Sequence, residues 1–332
     1  MRRRSGALIP LALAALAAFG GLAACGNTTS TATQSTVSQP GATAAAPLAT
    51  TAPSTAVPSL PAPTTSTPAP SISIPSISIP PLPTFSAGSG PVVGGDVSWP
   101  QCPKGMGIPQ KPTEGAPMPL GSARFVVLGL TNGPGFVANP CLADQLAWVT
   151  QRHLLVSAYS VISAPYDDVL ARYGGTGPYD ASTRAGRLGN VGYQEALFNV
   201  GTMRSVGLQT PFVWLDVEPV TGFDWPSGPG ATAANAAVIK GAARGYEEQG
   251  YQVGVYSIES LWKRVVGDLR LGLPEWRPAG GTGRTGAVRR CGGDWMFQGG
   301  AAVLGQWVEH GRDQDVTCPG QAPYLSLWFH QT

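Results

Sequence analysis

The sequence predicts a (β/α)8 barrel with some helices missing, preceded by an export signal and a tether. Three observations carry this. Apolar strand-like runs alternate with helix-like stretches through about 240 residues, the size and rhythm of such a barrel. The run Val213-Trp214-Leu215 continues into Asp216-Val217-Glu218-Pro219, so two carboxylates stand two residues apart at the end of a buried strand. The same region, Pro91 to Thr332, holds all nine tryptophans, as a domain with one large core would.

Taken in order, the chain opens with Arg2, Arg3 and Arg4 and an apolar Ala7–Leu22 stretch too short to remain in a membrane. Its end, Leu22-Ala23-Ala24-Cys25, resembles the lipobox of bacterial lipoproteins. That resemblance implies cleavage before Cys25, lipidation of its thiol and an extracytoplasmic, membrane-anchored protein facing the cell wall. From Gly26 to Gly95 there is no Lys, Arg, Asp or Glu, and Thr, Ser, Pro and Ala dominate. Such a stretch cannot bury a core, so it predicts a disordered tether. The expected division is 1–24 signal, 25–90 tether and 91–332 barrel domain. Without the signal arginines the formal charge of +2 falls slightly below zero. That argues against a nucleic-acid partner, which would want a basic stripe.

Within the domain the strand candidates are 92–98, 125–130, 154–161, 211–216, 252–256, 275–277, 303–308 and 314–317. The helix candidates are 139–152, 191–206, 231–249 and 258–266, with Gly207 and Gly250 placed as C-terminal glycines. Four cysteines besides Cys25 remain: Cys102, Cys141, Cys291 and Cys318. An even number in an exported domain reads as two disulfides. Of three possible connectivities, Cys102–Cys141 and Cys291–Cys318 are favoured because each ties neighbouring segments. No C-x-x-C or matching His spacing supports zinc, and no metal or cofactor is expected.

Acids fall at three strand ends. Asp96 follows the first strand, Asp216 and Glu218 the middle one, and Asp313 adjoins the last. The first and last strands of a closed barrel are neighbours, so all four acids are expected on one rim. Paired like charges raise at least one pKa, as a general acid requires. In this reading Asp216 stays charged and holds the proton on Glu218. Trp99, Trp225, Trp276 and Trp307 lie near strand ends and are candidates to stack on a ligand, with Gln101 as a polar contact.

These residues carry a resemblance. Gly94 to Gln101 resembles the G-x-D-V-S-x-x-Q opening of the family 25 glycoside hydrolases, barrel-type lysozymes that cut peptidoglycan. Asp216-Val217-Glu218 is similar to their D-x-E motif, and Gln306-Trp307 with Asp313-Gln314-Asp315 to their closing motifs. The stretch 92–320 also resembles a glycoside-hydrolase-like domain of unknown function from secreted bacterial proteins. It does so through Asp96-Val97-Ser98-Trp99-Pro100-Gln101-Cys102 and Trp214 to Pro219. The resemblance implies hydrolysis of a cell-wall or envelope polysaccharide by a monomer, with Glu218 as acid and Asp216, Asp96 and Asp313 in support. The second strand departs from the lysozyme pattern, reading Gly129-Leu130-Thr131-Asn132-Gly133. A non-catalytic carbohydrate-binding or envelope-organising protein is the alternative.

Other signals point nowhere. Gly281 to Gly286 fits G-x-G-x-x-G but lacks the strand before it and the acid after it, so it reads as a loop. His153, His310 and His330 are scattered. There is no H-E-x-x-H, G-x-S-x-G or Walker loop, which removes zinc-protease, serine-hydrolase and NTPase readings.

Overall fold

In the computed structural model, described for residues 90–133, 135–219 and 224–332, eight strands close into a barrel. They are β1 Val93–Val97, β2 Phe125–Gly129, β3 Leu155–Val161, β4 Phe212–Asp216, β5 Gln252–Tyr256, β6 Glu275–Pro278, β7 Ala302–Glu309 and β8 Arg312–Thr317. The ring runs β1-β2-β3-β4-β5-β6-β7-β8 and closes from β8 back to β1. Each expected strand is found, with ends shifted by a residue or two. The predicted signal, the tether and Cys25 lie outside the described residues. Among the described residues no helix is long and apolar enough to cross a membrane.

The first seven strands are parallel, whereas β8 is antiparallel to both neighbours. The reversal departs from a regular (β/α)8 barrel, whose strands are all parallel. Its cause is the turn His310-Gly311, with φ of 52° and 69°, which joins β7 to β8 as a two-residue hairpin. So short a connection has no room for the crossover that a parallel partner needs. No α-helix follows β1 either; a loop carrying the small hairpin Gly107–Ile108/Lys111–Pro112 takes its place.

Among the described residues six α-helices pack outside: α1 Leu142–Thr150, α2 Asp167–Tyr173, α3 Arg184–Val206, α4 Ala231–Glu248, α5 Glu259–Val266 and α6 Gly283–Arg290. Thr183 caps α3 by accepting from the Gly186 amide at 2.9 Å. Gly207 and Gly250 end α3 and α4 at φ of 75° and 89°, a conformation that a Cβ disfavours. Neither α2 nor α6 is anticipated by the sequence reading. The G-x-G-x-x-G stretch is not a loop, since Gly283 opens α6. Its glycines weaken helix propensity; burial of Ala287 beside Trp307 and Val316 compensates.

The alternation of each strand divides the core. Val213, Leu215 and Val217 face the helices, together with Val126, Leu128 and Val156. Phe212 and Trp214 face the barrel interior with Phe125, Val127 and Trp276. Leu325, Trp328 and Phe329, from the C-terminal 3-10 turn, join this inner cluster. His330–Gln331 then pairs with the start of β3, so the C-terminal segment closes the amino end of the barrel. The disulfides are Cys102–Cys141 and Cys291–Cys318, as favoured from the sequence.

Candidate active site

The carboxyl ends of the parallel strands form the open rim, and the acids gather there. Asp216 ends β4, in register with Val161 of β3 and Tyr256 of β5. It lies on the inward face with Phe212 and Trp214, and Glu218 continues that face into the loop. Asp96 is the fourth residue of β1. Because β8 runs the other way, Asp313 at its beginning lies at the rim where β1 ends. All four predicted acids thus sit at one end of the barrel.

The interior below them is hydrogen-bonded. Gln306 of β7 donates to Asp96 Oδ2 at 2.8 Å and accepts from the Tyr256 hydroxyl at 2.8 Å. Asp315, two residues beyond Asp313 and so on the same face, accepts from the Trp276 indole at 2.9 Å. Asp315 and Asp96 face each other across β8 and β1, and burial raises both well above the usual carboxylate range. Sequence reasoning did not select Asp315, Gln306 or Tyr256 as site residues. The two-residue period from Asp313 was the available signal for Asp315. Gln306 stood in the closing motif without a role, and for Tyr256 the register across strands was needed.

Burial dominates the electrostatics. It raises Asp96 well above the usual carboxylate range, with the Asp315 and Asp313 charges adding to the effect. Asp216 is pushed well up by burial and then by Glu218, and its Oδ1 has no hydrogen-bond partner. The expectation that Asp216 stays charged loses its support, because burial and the neighbouring Glu218 both disfavour its anion. Glu218, half-buried, is raised to about 7 by burial and by Asp313, while Lys111 pulls it down. Asp313 rises to about 6 through burial and Glu114. So Asp313, rather than Asp216, is the charge that lifts Glu218. Lys111 and Glu114 belong to the loop after β1, and nothing in the sequence marked them.

The four tryptophans separate. Trp99 is half-buried with the Lys111 ammonium 5.5 Å from its ring centre, beside an open cavity of about 500 Å³ that Lys104, Thr113 and Glu114 help line. Trp276 is 1% exposed inside the barrel and Trp307 is 3% exposed on the opposite face, packed on Ala287 and Val316. Trp225 is buried among the helix-facing residues. The stacking expected of Trp225, Trp276 and Trp307 is thus corrected to core packing, because no ring face is left for a sugar. Gln101 accepts from the Ser98 amide at 2.8 Å and caps its own turn. Among the described residues no group of His, Cys, Asp and Glu is arranged to hold a metal ion.

No family model and no curated protein matches the chain. Solved structures similar to it include a family GH25 lysozyme from Aspergillus fumigatus, at 16% identity over 72% of this chain and 99% of that one, TM-score 0.46. A bacterial lysozyme from Streptomyces coelicolor is 14% identical over 71% and 96%, TM-score 0.45. A muramidase from Acremonium alcalophilum is 15% identical over 71% and 97%, TM-score 0.42.

Proposed function

We propose that the chain is a glycoside hydrolase acting on cell-wall or envelope polysaccharide, with Glu218 as proton donor. The observation that carries this is Glu218 itself: a half-buried carboxyl at a strand end, raised to about 7 in a mouth lined by other acids. Glycosidic cleavage needs an acid that still holds its proton near neutrality and a negative group facing an oxocarbenium-like centre. Glu218 protonates the leaving oxygen. Asp313, raised only to about 6, is the more ionised neighbour at neutral pH and opposes the developing positive charge. Asp216, raised by burial and with Oδ1 unpartnered among the described residues, offers its carboxyl to a sugar hydroxyl. Asp96 supports the site through Gln306 and Asp315. Trp99 remains the ring placed to stack on substrate. Lipidation at Cys25 would hold the domain at the membrane, facing its polymer.

The test is release of reducing ends from envelope polysaccharides by the full chain. Glu218→Gln keeps the shape and removes the proton, so the rate falls by about 10²–10⁴ while glycan binding survives. A variant that cleaves as fast as the parent removes Glu218 from the role. The absence of any acid among Gly129 to Asn132, after β2, favours the second reading, carbohydrate binding without cleavage. That reading holds if both proteins bind a glycan equally and neither cuts it.

A further inference from the structure

A second cavity lies outside the barrel mouth, between the loops that follow β2 and β3 and helices α2 and α3. Its volume is about 220 Å³. Glu195 of α3 lines it while being only 1% exposed, and its Oε2 has no hydrogen-bond partner. No role in the proposed chemistry uses this group. A glutamine would fill the same space without a buried ionisable group, so packing alone does not explain the carboxyl.

The surroundings restrict what it could meet. Phe136 and Tyr173 form a wall, their rings stacked with centroids 3.9 Å apart and 2° between planes. Gly135 passes so close that a Cβ there would strike the Glu195 carboxylate. Its amide turns instead to the Ser163 hydroxyl, at 3.4 Å. Arg172 is the cation among the lining residues, but it is exposed at the mouth and lies 5.1 Å from the Tyr173 ring centre. Asp168 is exposed at the mouth too. From α4, Tyr246 spends its hydroxyl on Ser160 Oγ at 2.9 Å. The lining therefore holds two acids against one base, and among the described residues the deep oxygen of Glu195 has neither a donor nor a cation.

We propose that this cavity is a binding site for a small primary ammonium, held by Glu195 and flanked by the Phe136–Tyr173 wall. A carboxylate beside an aromatic surface is the pairing that desolvated ammonium groups favour. The cation supplies the charge partner that the fold leaves out. Burial raises Glu195 well above the usual range, so the empty site favours the protonated acid. Binding therefore releases a proton, and affinity rises with pH until Glu195 is ionised without ligand.

The test titrates the full chain with n-propylammonium and with n-propanol, its neutral counterpart of similar shape. Calorimetry in two buffers of different ionisation enthalpy reads the proton. The amine should bind and release a proton, and the alcohol should bind far more weakly. Glu195→Gln should lose at least about tenfold in amine affinity. Ala164→Leu, which fills the cavity and leaves Glu195 in place, should lose binding as well and serves if the first variant misfolds. Equal binding of amine and alcohol, unchanged binding in either folded variant, or no binding at millimolar amine would each overturn the proposal.

Discussion

The raised carboxyl of Glu218 makes fold stability depend on pH in a way that needs no substrate to measure. Its pKa moves from 4.5 in the unfolded chain to about 7 in the fold. Between those values the folded state binds the extra proton, so stability falls as pH rises. The contribution is fully present below about 4.5, declines through the window, and is gone above about 7. Roughly 2.5 units at 1.36 kcal/mol each amount to about 3 kcal/mol. Glu218→Gln removes this group. Urea unfolding of parent and variant, disulfides intact, should therefore show the parent losing about 3 kcal/mol more than the variant across that range. Neighbouring charges provide a sign check. Lys111→Met removes the cation that lowers Glu218 and should enlarge the loss; Asp313→Asn removes the charge that raises it and should shrink the loss. Parallel pH curves for parent and Glu218→Gln would refute the reasoning, because the acid would then have its ordinary pKa in the fold.

Further outcomes follow from other contacts. Glu275 is fully buried and accepts from Arg277 at 2.7 Å and from the Gln298 and Gly300 amides at 3.0 and 3.1 Å. Glu275→Gln breaks the buried pair and should cost about 3–5 kcal/mol in chemical denaturation. Replacing Cys102 and Cys141 by Ser opens a link between residues 39 apart and should lower stability by about 4 kcal/mol by chain entropy, read as a drop in Tm. Trp307→Ala should cost about 3–5 kcal/mol yet leave glycan affinity unchanged, since its ring packs on α6 away from the mouth. A large affinity loss in that variant, with the fold intact, would restore Trp307 as a sugar contact.

Local patterns carry far in this chain. Apolar runs locate most of the strands, because burial on both faces leaves a mark within five or six residues, while the polar β6 and β8 are placed by the spacing of the elements around them. The position of an acid at a strand end is equally local and puts Asp96, Asp216 and Glu218 on one rim, whereas Asp313, at the start of β8, joins them only because that strand runs the other way. The cysteine pairing also followed from chain proximity, and the structure has it. The direction of β8 was legible in the short His310-Gly311 link, had turn length been weighed with strand pattern.

Other features depended on residues far apart meeting. Helix α6 contains glycines that argue against it, and contact with β7 and β8 overrides their propensity. A tryptophan near a strand end reads alike whether it faces sugar or core; register alone sends Trp276 inward and Trp307 outward. The bond from Gln306 to Asp96 joins residues from opposite ends of the domain sequence. The pKa values belong to the tertiary structure for the same reason. Ionisation depends on the water removed and the charges brought near, and for Glu218 these come from Asp313 and Lys111, both about a hundred residues away. Sequence alone thus determined the strands and the presence of acids at their ends. Closure of the barrel decided which acid keeps its proton, because only there do desolvation and distant charges act on the same carboxyl.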